Sequence, residues 1–121
     1  LHPLQLQTSL PEVIGGLTRD GIGSGWVEHP ERPGSLVGIL TDGDLRRALQ
    51  DHSSDRWTTL TAADLMTSDP ITVTGEELVV HALERMERNR RKPISVLPVV
   101  GENNRLLGLL RLHDLVQAGL A

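Results

Sequence analysis

The sequence predicts an α+β fold of mixed strands and helices. It reads as two pseudo-symmetric halves, each a small three-stranded sheet with two helices, packed face to face. Three observations predict it. First, a segment recurs: Leu36, Gly38, Leu40, Asp44, Leu45 and Ala48 return as Leu106, Gly108, Leu110, Asp114, Leu115 and Ala118. Val37 and Ile39 are swapped conservatively for Leu107 and Leu109. In both copies an apolar strand runs into a turn and an Asp opens a helix, which marks a duplicated unit. Second, Ser9 with Glu12, and Thr74 with Glu77, have capping-box spacing at the same point of each half. Third, Val79, Ala82, Leu83 and Met86 fall on one helical stripe, while the apolar runs 36–40, 96–100 and 106–110 have strand length.

The elements follow in order. Residues 4–8 alternate apolar and polar, as a short strand does. A helix then opens at the Ser9 cap with Pro11 in its first turn. It carries Val13, Ile14 and Leu17 on one face and ends near Gly21. Residues 25–28 form a strand, and 29–35, with Pro30, Pro33 and Gly34, a turn. A strand at 36–40 leads to a helix at 42–50. Residues 51–55 are a polar connector, and 61–64 a short helix. The pattern then restarts: a strand at 71–73, a helix from 76 to about 89, a strand at 96–100, a hairpin turn at 101–104, a strand at 106–110 and a helix at 113–117. The first motif with its connector spans 1–57 and the second 58–121.

Composition narrows the function. A chain of 121 residues forms one compact domain or two small lobes sharing a core. No apolar run is long enough to span a bilayer, and no basic-then-apolar signal opens the chain. Cysteine is absent, which excludes disulfides and thiol chemistry and fits a cytoplasmic protein. Twelve Lys and Arg stand against 16 Asp and Glu, a net charge of -4, which argues against general nucleic-acid binding. Trp26 and Trp57 are the sole aromatic residues, so no stacking platform for single strands exists. Arg85, Arg88, Arg90, Arg91 and Lys92 read as a solvated helix end or as a phosphate or partner contact. The chain begins at Leu1 without Met and ends directly after the second repeat, which reads as a piece of a longer protein.

The segments 36–47, 64–73, 97–100 and 106–115, in that order, resemble the tandem CBS motifs of a Bateman module. A narrower likeness rests on 41–49, 61–67, His113, Asp114 and Leu115. It is to the C-terminal regulatory region of D-arabinose 5-phosphate isomerases. The resemblance implies a sugar-isomerase domain before Leu1, a role in Kdo and lipopolysaccharide synthesis, and a homodimer formed through CBS pairs. It also implies a regulatory ligand, AMP, ADP, ATP or CMP-Kdo, with no required cofactor and no catalysis by these residues. The chain departs from the family pattern at 21–26, at 29–35 and at Arg111.

In CBS motifs a Gly-x-x-Thr-x-x-Asp stretch supports nucleotide binding, and here it is Gly38, Thr41 and Asp44. The physical logic is that a strand delivers the chain to a helix N-terminus, whose unpaired N–H groups favour phosphate. Gly43 lets the backbone approach a ligand, Thr41 offers a hydroxyl, Asp44 accepts from ribose hydroxyls, and Arg46 and Arg47 offset phosphate charge. Thr41 and Asp44 are equally an ordinary capping motif. In the second copy Arg111 replaces the Thr; either it reaches an anion or that site is empty. His113 beside Asp114 is a titratable group near neutral pH or a plain helix-start residue. By the resemblance, base recognition maps to Thr8 with Trp26 and Val27, and to Thr72 with Pro98. Trp26 is a stacking residue or a core filler.

Catalytic and metal constellations are weak. Asp42 and Asp44 alone do not make a cation site, and His2, His29, His52, His81 and His113 lack ligand spacing. Ser53 and Ser54 beside His52 and Asp51 have no oxyanion hole. Three functions compete: a ligand-sensing module, a structural dimerisation element without ligand, and, weakest, a catalytic fragment.

Overall fold

The computed structural model describes residues 2–19, 23–74, 81, 84 and 96–111. The chain forms two units, Leu1–Asp69 and Pro70–Ala121. In order, the first contains α1 (Leu10–Arg19), β1 (Ser24–His29), β2 (Arg32–Thr41), α2 (Asp42–Asp51), a 3₁₀ turn (Ser54–Thr59), α3 (Ala62–Leu65) and β3 (Thr67–Ser68). The second contains β4 (Val73–Thr74), β5 (Val96–Val100) and β6 (Leu106–Arg111). Each unit has a three-stranded sheet, ordered β1-β2-β3 and β4-β5-β6. His81 and Glu84 are helical. The rest of the helix expected at 76–89, and all of that at 113–117, lies outside the described residues.

The two sheets repeat one register. Val27 faces Gly38 across β1 and β2, and Leu4 makes a parallel bridge to Val27. Val99 faces Gly108 across β5 and β6, and Val73 pairs parallel with Val99. The same irregularity follows in both. Glu28 pairs with Leu36, passing over Val37, and Val100 pairs with Leu106, passing over Leu107. A bulge is a built feature of a sheet, so its recurrence at equivalent positions carries the duplication beyond sequence likeness. The register also aligns Trp26 with Pro98 and Thr41 with Arg111.

Several expectations are corrected. Residues 4–8 are not a strand. The Thr8 N–H donates to Gln5 O (3.0 Å) and the Gln5 N–H to Thr8 Oγ1 (2.9 Å), closing a turn after the single bridge at Leu4. The loop expected at 29–35 is far shorter: His29 pairs with Arg32, so β2 runs through Pro33 to Ser35. Gly34, at φ +86°, takes a conformation a side chain resists, and its N–H donates to Glu28 Oε2 at 2.7 Å. On α1 the buried stripe is Leu10, Val13 and Leu17, while Ile14 is 41% exposed.

The first unit extends past the expected boundary at 57. Residues 60–63 are stitched to the start of the chain: Leu10 N donates to Leu60 O, Ala62 N to Thr8 O and Ala63 N to Leu6 O, at 3.2, 2.8 and 2.9 Å. Leu60, Ala62 and Leu65 join Leu10, Val13, Leu17, Val27 and Leu40 in one apolar cluster. Burying each large side chain there contributes about 1.5–3 kcal/mol. β3 then pairs with β2, at Ser68–Gly38 and Thr67–Ile39.

Candidate ligand-binding site

Residues paired across an antiparallel ladder share a face, and successive residues alternate. Val27, Gly25, Leu40 and Gly38 therefore lie on one face of the first sheet, and Val27 and Leu40 are fully buried in the apolar cluster. Trp26, Ser24, Ile39, Thr41 and Thr67 lie on the other. Val27 is thus a core residue, on the face opposite Thr41. Trp26 is 6% exposed, and its indole N–H has no partner among the described residues. The other indole is satisfied, since Trp57 Nε1 donates to the His52 carbonyl at 3.0 Å.

Thr41 ends β2 and caps α2. Its extended backbone (φ -119°, ψ 168°) frees the hydroxyl to accept from Asp44 N at 3.2 Å. Asp44 answers with Oδ2, which accepts from the Thr41 N–H at 3.0 Å and the Thr41 hydroxyl at 3.1 Å. Oδ1 accepts from Arg47 at 2.8 Å and from the Thr67 hydroxyl at 3.1 Å. A carboxylate offers about four acceptor positions, and these donors engage both of its oxygens. The Asp44 side chain is 5% exposed, whereas that of Arg47 is 52% exposed. Burial of the anion is offset by charge-assisted bonds, while the guanidinium keeps one side toward solvent. Gly43 serves this geometry: a Cβ there would meet Arg47 at 3.3 Å and Thr41 Oγ1 at 3.6 Å. Its missing side chain leaves Arg47 room to fold back on Asp44.

The structure thus brings Thr41, Gly43, Asp44 and Arg47 together. Thr8 stands apart, in a cavity of about 260 Å³ that it lines with His2, Glu12, Leu17, Ser24 and Gly25. Ser24 is buried and is the ladder partner of Thr41. Thr72, Pro98 and Arg111 lie in the second unit, Pro98 fully buried and Arg111 half-buried at the end of β6. His113 and Asp114 lie outside the described residues. Sequence reading missed Thr67. A capping box accounts for one oxygen of a buried Asp, and the other needs donors too, but a partner 23 residues away leaves no local signal.

A family model for the CBS domain matches residues 62–121. By that match, residues 62–121 belong to the CBS-domain family. The CBS domain protein PAE2072 from Pyrobaculum aerophilum, solved complexed with AMP, matches with a TM-score of 0.78 at 26% identity, over 98% of this chain and 90% of that one. The arabinose 5-phosphate isomerase KdsD of Pseudomonas aeruginosa is 42% identical over 122 residues, 99% of this chain and 35% of that protein. The arabinose 5-phosphate isomerase KpsF of Escherichia coli is 38% identical over 111 residues, 92% of this chain and 32% of that protein. The chain therefore spans about a third of the length of the curated relatives it matches. No helix among the described residues is long and apolar enough to cross a membrane.

Proposed function

We propose that the chain is a non-catalytic regulatory module. It binds a nucleotide or nucleotide-sugar at the α2 corner and adjusts a sugar-phosphate isomerase within a longer protein, in cytoplasmic Kdo and lipopolysaccharide synthesis. One observation carries this reading: a buried carboxylate, Asp44, stands 2.8 Å from a half-exposed guanidinium, Arg47, at a helix N-terminus. That pairing offers an acceptor for paired sugar hydroxyls beside a donor for phosphate. The likeness to a CBS protein complexed with AMP supports the ligand class. The likeness to arabinose 5-phosphate isomerases supports the regulated enzyme and makes CMP-Kdo, an end product of that chemistry, a candidate beside AMP, ADP and ATP. On this reading Thr8, Ser24 and Trp26 border the base, and a homodimer forms through the modules.

A second reading has its own observation. Asp44 is already occupied by donors of this chain, as a purely structural cap in an assembly element would be. Thermal unfolding with AMP, ATP, CMP and CMP-Kdo separates the two. A ligand at 100 times its Kd stabilises by about 2.7 kcal/mol, and Arg47→Ala is expected to remove that gain with little effect on the unliganded chain. No stabilisation by any of the four, with a concentration-dependent dimer, supports the assembly reading instead.

A further inference from the structure

Asp44 joins the ligand corner to the last strand of its unit. β3 is two residues long and meets β2 at two positions. Strands this short have little stability of their own and open readily. A side-chain bond, Thr67 Oγ1 to Asp44 Oδ1 at 3.1 Å, ties β3 to α2. The unit ends directly afterwards, at Asp69, whose φ of +46° turns the chain sharply before Pro70 opens the next unit.

The two oxygens of Asp44 differ in what they can release. Oδ2 is held by the Thr41 N–H and hydroxyl, and giving these up would uncap α2. Oδ1 is held by two donors that can leave. Arg47 is half exposed, and the Thr67 hydroxyl turns about one bond. A ligand with a vicinal diol and a phosphate competes for both: the phosphate draws Arg47, and the hydroxyls need Oδ1.

Resting on the reading of this corner as the ligand site, we propose that the Asp44–Thr67 bond is a latch that ligand opens. A phosphorylated vicinal diol takes Asp44 Oδ1 and Arg47 from their resting partners, releases Thr67 and frees β3 where the chain leaves the first unit. A ligand shifts a conformational equilibrium by as much as its affinities for the two states differ. Competition for Oδ1 supplies that difference. Linkage is reciprocal, so opening the latch by mutation must tighten binding.

The test uses the whole chain, AMP as the probe, and three forms: parent, Thr67→Val, which keeps the side-chain shape, and Thr67→Ser, which keeps the hydroxyl. Calorimetry gives the affinity, and deuterium uptake of a peptide spanning 65–72 reports β3. AMP should raise uptake in the parent and in Thr67→Ser. Thr67→Val should show raised uptake without AMP and bind AMP roughly 3- to 10-fold tighter, the size of one lost competing hydrogen bond. If AMP binds the parent while uptake at 65–72 is unchanged or falls, or if Thr67→Val binds no tighter, the latch is overturned and the ligand site stands. If AMP binds none of the three, the nucleotide reading falls and the latch with it.

Discussion

Asp44→Ala and Asp64→Ala make a controlled pair, because both residues close the same capping box in different surroundings. Asp64 is exposed, and its Oδ2 accepts from the Thr61 N–H at 2.9 Å and the Thr61 hydroxyl at 3.1 Å. Removing it should cost about 0.5–1 kcal/mol, the ordinary value of a cap. Asp44 carries the same box and also holds Thr67 and Arg47 while buried. Its loss adds the cost of stranding part-buried donors, about 1–3 kcal/mol when no water replaces the acceptor. Arg47 is 52% exposed and adds little. The expected cost of Asp44→Ala is thus about 1.5–4 kcal/mol. Urea unfolding followed by tryptophan fluorescence measures it, since Trp26 and Trp57 both lie in the first unit. An Asp64→Ala cost equal to or above that of Asp44→Ala would refute the hub described here.

The repeat supplies a second pair. A Cβ at Gly38 would collide with Met66 Sδ and approach the Thr67 carbonyl to 3.0 Å, whereas one at Gly108 meets nothing within 4 Å among the described residues. Gly38→Ala should therefore cost about 1–3 kcal/mol and Gly108→Ala under about 0.5 kcal/mol in the same unfolding assay; equal effects would contradict the role given to β3. Glu28 supplies a pH test. The Gln5 amide and then the Gly34 N–H hold its carboxyl below the usual range. The stability this gives is present above the unfolded-state value and is lost as pH falls through the lowered folded value. The advantage of the parent over Gln5→Ala should be full at pH 7 and vanish in acid, and an advantage that persists at pH 2 speaks against this ion's part in it.

Much of the fold was legible for local reasons. Apolar runs of strand length marked 36–40, 96–100 and 106–110, and Thr41 with Asp44 marked the start of α2. What escaped reading was set by distant pairing. Thr67 and Ser68 form a strand with no hydrophobic signal, because their register against Gly38 and Ile39 is fixed by β2. Pro33 and Gly34 looked like a loop, yet β2 runs through them, in the irregular stretch between the pairs His29–Arg32 and Glu28–Leu36. Ile14 fits the α1 stripe by spacing, but the stripe turns toward Leu10 instead. At the site, sequence named Thr41, Gly43, Asp44 and Arg47 together. It took Gly43 as room for a ligand, where the structure shows room for Arg47. It left cap and ligand roles open for Asp44, and the structure shows the cap in full.

An amide-resolved NMR titration of the chain with AMP tests the central claim most directly. The account predicts saturable shifts concentrated at residues 41–47, at Thr67 and at the Trp26 indole N–H. Saturable binding that leaves those signals unmoved and perturbs others would contradict it.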